Sequence, residues 1–200
     1  MQTKHFILLI LAFIAAGVIG FVLTPQPENG STQIQTSSEV GGPFELVDHH
    51  GTTVTEKNYD GSYKLIFFGF THCPGICPGE LNKMDAILED LGEDGEKIQP
   101  LFVSIDPERD TPEAMREYVE LFNPRIIGLT GSPEQIEAMK ESYKIYATKR
   151  EMSGAMTENG EYMMDHSTYT YLMSPENELL EVFSIQETPD TISVEIKSHL

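Results

Sequence analysis

The chain has 200 residues, 40% of them apolar and 22% charged, a balance that suits one folded domain with a hydrophobic core plus an appendage and excludes a largely disordered polymer. Against 32 acidic residues stand 13 Lys and Arg, and the net charge of -19 repels phosphate backbones and anionic headgroups, so nucleic acid is not an expected partner. Only 2 cysteines occur, which excludes a multi-bridge framework and leaves a single bridge, a redox couple, a metal site or inert thiols.

From Phe6 to Leu23 the chain reads FILLILAFIAAGVIGFVL without a charge. A run of about 18 apolar residues is long enough to cross a bilayer core as a helix, and longer than the roughly 7 to 15 residues of a signal-peptide core. The following TPQPENG has no small-x-small cleavage site, so residues 1–23 are expected to be an uncleaved N-terminal membrane anchor. Lys4 precedes the span and the next basic residue is Lys57, which places the N-terminus in the cytoplasm and the rest on the periplasmic or extracellular face. With no Arg-rich leader and no cysteine to accept a lipid, a bacterial cell membrane fits better than an organelle. Residues 24–42, TPQPENGSTQIQTSSEVGG, have the composition of a flexible linker, and residues 43–200 form the folded domain.

Phe44 to Val47 and Thr52 to Thr55 flank the turn-forming DHHG and predict a short hairpin. Lys64 to Phe70, KLIFFGF, is a continuous apolar run and predicts a strand buried on both faces. After THCPGICPGE, the spacing of Leu81, Met84, Ile87, Leu88 and Leu91 predicts a helix from Pro78 to Leu91, stopped by Gly92. Ile98 to Ile105 predicts a second buried strand, and Thr111 caps a helix with Pro112 at its first position. A short strand follows at Arg125 to Leu129, Ser132 caps a helix to Tyr143, Thr168 to Met173 and Leu179 to Phe183 form a hairpin around SPENE, and a last helix starts at Pro189. This order predicts an α/β, three-layer, thioredoxin-like domain with a mixed sheet.

Cys73 and Cys77 lie where the first buried strand meets a helix N-terminus. At this spacing two helical residues share a face, about 5 to 6 Å apart at Cβ, so both sulfurs reach one ion. The helix N-terminus favours thiolates, the form that binds metal or attacks a disulfide. On an oxidising face of the membrane a Cys73–Cys77 disulfide is also feasible, which couples redox state to metal loading. Soft thiolates favour Cu(I), and an imidazole is a suitable third ligand for copper or zinc.

The chain has 6 histidines. His5 flanks the apolar span and His199 ends the last helix, which leaves His49 and His50 in a hairpin turn, His72 beside Cys73, and His166 before a strand in MMDHSTYTYLMS. Asp165 is placed either to orient the His166 imidazole or to serve a turn. Spacing does not choose among these histidines.

Three stretches, FFGFTHCPGICPGELNKM, FVSIDPERDTPEAMREYVELFNPRIIGLTGSPEQI and DHSTYTYLMSPENELLEVF, resemble the Sco/SenC family of copper proteins, in this order and over most of the span from Gly42 to the C-terminus. The resemblance implies a copper site at Cys73, Cys77 and His166. It also implies a role in assembling the dinuclear copper centre of cytochrome c oxidase subunit II, by delivering copper or by reducing that subunit's cysteines. Gly75 departs from the aspartate that is common in the family between the two cysteines, which bears on the redox role more than on metal binding.

Two further groups stand near this motif. Asp106, Arg109 and Asp110 in DPERDTP either organise the site by ion pairing or build a structural loop before the Thr111 cap. Met152, Met156, Met163 and Met164 approach His166 either as packing or as auxiliary Cu(I) ligands. The expectation is a copper metallochaperone that takes Cu(I), and Cu(II) as well, from an upstream copper donor protein and passes it to the oxidase subunit. Its rivals are a thiol:disulfide oxidoreductase using Cys73 and Cys77, whose CxxxC spacing and lack of Trp differ from thioredoxin, and a thiol peroxidase.

Overall fold

The apolar run at residues 64–70 becomes the middle of a mixed sheet, because its side chains on both faces find cover. The computed structural model describes residues 40–151 and 162–200. The anchor assigned to residues 1–23, nearly all of the linker, Met152 and Met156 lie outside the described residues. Among the described residues no helix is long and apolar enough to cross a membrane.

In chain order the domain runs β1 (Glu45–Asp48), β2 (Thr53–Thr55), β3 (Tyr63–Gly69), α1 (Ile76–Leu91), β4 (Ile98–Ser104), α2 (Pro112–Val119), β5 (Ile127–Thr130), α3 (Pro133–Tyr143), β6 (Ala147–Glu151), β7 (Tyr162–His166), β8 (Tyr169–Met173), β9 (Leu179–Ser184) and α4 (Pro189–His199). Seven strands form one sheet in the order β2-β1-β5-β4-β3-β8-β9. β3 runs parallel to β4 and β4 to β5, whereas β8 lies antiparallel to β3 and β1 antiparallel to β5. Leu65, Ile66, Phe67 and Phe68 of β3 are all fully buried, each contributing roughly 1.5 to 3 kcal/mol of burial energy.

The two faces of the sheet are covered differently. On one, Phe67 stacks on its β4 neighbour Phe102, Phe102 meets Tyr118 of α2, and Cys77 of α1 lies over Gly69. On the other, Phe68 packs on Tyr143 of α3 and edge-on against Tyr171 of β8. The mixed sheet with helices on both faces is therefore the expected architecture. The caps behave as their sequences predict: Thr111 Oγ accepts from the Ala114 amide, and Ser132 and Gln135 form a reciprocal capping box.

Two differences bear on function. α1 starts at Ile76, ahead of Pro78, so Cys77 lies in its first turn with Gly75 as N-cap. The proline is tolerated there because first-turn amides have no intrahelical acceptor. The second difference is the hairpin β6–β7, a separate two-stranded sheet that sequence patterning does not reveal. Its first strand, ATKRE, is almost wholly exposed, so it carries no apolar alternation to read.

Candidate metal centre

The cysteine loop follows β3 directly. Cys73 turns back to donate its amide to the Phe70 carbonyl at 3.2 Å, and the Cys77 amide in turn points at Cys73 Sγ at 3.4 Å. Both cysteines are free thiols. Cys73 is partly exposed and Cys77 is fully buried. The Cys77 thiol, helped by the backbone amides of Cys77, Gly75 and Ile76, holds the Cys73 thiol down to about 5 against the opposing effect of burial. The same shared proton, together with burial, pushes Cys77 far up. The pair is thus a thiolate at the surface above a protonated thiol in the core.

Close packing holds Cys77 in place. A Cβ on Gly69 would stand 2.7 Å from Cys77 Sγ and 2.8 Å from Phe102 Cε2, so only glycine lets the sulfur sit against the strand. Asp110 moors the other side of the loop. Its buried carboxylate accepts from the Thr71 amide, from Thr71 Oγ at 2.6 Å and from Ser104 Oγ at 2.7 Å, while burial raises its pKa.

His166 ends β7, and its ring stands edge-on to Phe70 at 5.9 Å and to Phe67 at 6.4 Å between centroids. Its Nδ1 lies 2.7 Å from the Ser167 carbonyl, an acceptor, so Nδ1 carries the hydrogen and Nε2 keeps its lone pair. Burial lowers its pKa, which favours the neutral, ligating form. Cys73, Phe70, Met163, Met164 and His166 line an open cavity of about 420 Å³. Among the described residues, the set of donors lying within 4.8 Å of one another is Glu181, Glu195 and His199, so Cys73 and His166 share the cavity without closing on it, and Cys77 lies buried behind Cys73. Two sulfurs and a neutral imidazole are nonetheless the donor chemistry of a soft or borderline cation.

The other histidines are elsewhere. His49 is buried, and its Nδ1 accepts from the Gly128 amide at 3.1 Å. The His50 ring lies against it, tilted by 47° with centroids 3.9 Å apart. His72 is exposed and turned to Thr71 Oγ at 3.0 Å, and His199 Nε2 lies 3.5 Å from Glu181. None of these four lines the cavity with Cys73.

Asp165 requires a correction. Its carboxylate pairs with Arg150 at 3.1 Å on the exposed side of the hairpin, and the Ser167 carbonyl holds the imidazole instead. Alternation along β7 explains this, since neighbours in a strand point to opposite faces. Three contributors escape a reading of the sequence altogether: Gly69, Ser167 and Tyr162. Tyr162 donates its hydroxyl to Asp106 at 2.6 Å and lies under Arg109, so Asp106 and Arg109 act on the hairpin rather than on the sulfurs.

Comparison with known proteins gives a consistent result. Residues 32–200 match the family model described as SCO1/SenC. Protein SCO1 homolog 1, mitochondrial, of Arabidopsis thaliana is 44% identical over 77% of this chain and 45% of its own length. Protein sco1 of Schizosaccharomyces pombe is 41% identical over 80% of the chain and 61% of its length. The chain therefore spans about half the length of these two relatives. A SCO2-like protein of Rickettsia felis is 36% identical over 96% of the chain and 95% of its own length. Among solved structures, Bradyrhizobium japonicum ScoI with copper bound is 40% identical, with a TM-score of 0.72 over 80% of this chain and 99% of that one. Yeast Sco1 with copper bound gives 36% and 0.71 over 80% and 88%.

Proposed function

The chain belongs to the SCO1/SenC family, and from that premise we propose that it is a membrane-anchored, extracytoplasmic copper metallochaperone whose ligands are Cys73, Cys77 and His166. The observation that carries this reading is the convergence of a Cys73 thiolate and the free Nε2 of a neutral His166 on one open cavity, from segments far apart in the chain. The copper-bound state of the two similar structures supports the choice of cargo.

Cu(I) is the cargo. Cys73 offers a thiolate at the cavity, and Cys77 joins it by giving up the proton that the two sulfurs share, so loading releases a proton. His166 approaches by movement of its hairpin. Cu(II) is a second cargo state, with the imidazole gaining weight as the harder donor. A partner whose own thiolates displace these ligands one at a time receives the ion. The family reading makes that partner subunit II of cytochrome c oxidase, with a separate copper donor protein upstream.

One observation favours a second use of the same atoms. A partly exposed thiolate beside a protonated thiol is the arrangement of a thiol:disulfide oxidoreductase. Cys73 would attack a substrate disulfide, forming a mixed disulfide and releasing one substrate thiolate. Cys77, losing its proton, would then attack Cys73 Sγ, releasing the second substrate thiol and leaving the Cys73–Cys77 disulfide. Two electrons pass from the cysteine pair to the substrate.

Anaerobic Cu(I) titration of the reduced full chain, read by X-ray absorption at the copper edge, separates the two. One tightly held Cu(I) with two sulfurs and one nitrogen, and loss of the nitrogen in His166→Ala, supports the chaperone. No stable copper, with fast reduction of a disulfide peptide, overturns it in favour of the oxidoreductase.

A further inference from the structure

Among the described residues the hairpin that carries His166 shares no ladder hydrogen bonds with the main sheet, so its place depends on the packing of Met163 and Met164 against the core and on the polar contacts that grip it at each end. At the His166 end the grip is local: the Ser167 amide donates to the Tyr146 carbonyl at 2.9 Å, and the Tyr146 amide donates to Ser167 Oγ at 3.1 Å. At the far end the grip comes from the loop after β4. Arg109 donates Nε to the Asp106 carboxylate and Nη1 to the Tyr162 carbonyl at 2.9 Å. Its guanidinium lies over the Tyr162 ring at 3.7 Å and within 5.8 Å of the Phe70 ring, the same ring that stands edge-on to His166. Tyr162 completes the circuit through its hydroxyl to Asp106.

The neighbouring tether from Glu108 to Lys149 is exposed at both ends and contributes little. The Asp106 side chain, by contrast, is 1% exposed and that of Arg109 is 20% exposed, so their charge-assisted bonds are poorly screened. The planar guanidinium is suited to this task, because one group bonds a carboxylate and a carbonyl while stacking on an aromatic face.

We propose that Asp106, Arg109 and Tyr162 form a latch that positions the β6–β7 hairpin, and with it His166, over the cysteine loop. They are positioning residues and do not touch the ion. The latch fixes the separation across which His166 must close, and its release lets the imidazole withdraw while the cysteines keep their place. The inference rests on the metal reading of the site given above.

The test uses the full chain with two mild substitutions. Arg109→Lys keeps the charge and loses the carbonyl bond and the stacking, and Tyr162→Phe removes one hydroxyl. Each variant is titrated with Cu(I) against a chelator, its copper edge spectrum is recorded, and amide hydrogen exchange is followed across residues 147–151 and 162–166. The expected result is Cu(I) affinity lowered by about 10- to 100-fold, the range for loss of an outer-shell partner. It comes with a weakened nitrogen signal, intact sulfur signal and faster exchange confined to the hairpin. Wild-type two-sulfur, one-nitrogen binding that both variants reproduce at full affinity overturns the latch and leaves the metal reading standing. If the wild type itself binds no copper, the metal reading falls. The latch is then decided on the apo protein, where faster hairpin exchange in the variants supports it and unchanged exchange overturns it.

Discussion

The amide of Cys77 is directed at Cys73 Sγ from 3.4 Å and its thiol shares a proton with the same sulfur, so two cysteines one helical turn apart have opposite acidities. Geometry rather than residue type causes this. Cys73 sits outside the N-terminus of α1, where amides converge on it, and Cys77 lies in the first turn with its sulfur in the core.

This asymmetry predicts ordered reactivity. A thiol held at about 5 is a thiolate above that pH and loses its reactivity as pH falls through it, so alkylation of the reduced protein should proceed at Cys73 with half-maximal rate near pH 5. Cys77 should remain unlabelled in the native state. Removing the thiol donor in Cys77→Ala should move the Cys73 midpoint upward, toward the ordinary value of roughly 8.5. Mass mapping of labelled peptides against pH reads both, and a wild-type midpoint near that ordinary value would remove the premise.

The seat of the Cys77 sulfur predicts the effect of one methyl group. Gly69→Ala places a Cβ 2.7 Å from Cys77 Sγ, so the sulfur or the Phe102 ring must move. Overpacking of this kind costs about 1 to 3 kcal/mol. Chemical denaturation should show that loss, and Cu(I) titration should show weaker binding. Gly79→Ala is the matched control: nothing lies within 4 Å of its new Cβ, and in a helix interior it should stabilise by about 0.5 to 1 kcal/mol. Equal effects from the two alanines would contradict the packing account.

At Gly75 the prediction runs the other way. Gly75 is the N-cap of α1, has an ordinary φ of -148 and leaves a new side chain free of any contact within 4 Å. Gly75→Asp should therefore fold normally and add a capping carboxylate, worth a few tenths of a kcal/mol. The added negative charge beside Cys73 should raise the thiol midpoint in the same alkylation profile. A profile that does not move, or moves down, would show that the carboxylate points away from the sulfur.

The histidines separate by substitution. His49→Ala leaves the Gly128 amide without its acceptor, which should cost about 1 to 3 kcal/mol of stability and leave copper affinity unchanged. The half-exposed His72 should tolerate alanine within about 0.5 kcal/mol, again without effect on copper. Loss of copper binding in either variant, at full folding, would displace His166 from its assigned role.

Much of the fold was legible because its signals are local. KLIFFGF, the Thr111 and Ser132 caps and the hairpin around SPENE each declare an element through a few adjacent residues, and all formed within a few positions of expectation. Where the sequence misled, a local signal was weak or absent. ATKRE hides a strand because its own side chains are almost all exposed although its partner Tyr162–His166 packs Met164 on the core, and Asp165, read as either an orienting or a turn carboxylate, pairs with Arg150 instead.

The sequence by itself therefore determined the α/β class and the strand–loop–helix that carries Cys73 and Cys77, and its resemblance to a family supplied the expectation that His166 is the third ligand. Tertiary structure alone decided which sulfur keeps the proton, which imidazole nitrogen is left free, and that Asp106 and Arg109 grip a hairpin instead of the sulfurs. The division has a physical cause. Element formation follows periodicity and capping along the chain, whereas acidity, tautomer and reach depend on burial and on partners brought from distant segments, which spacing does not encode.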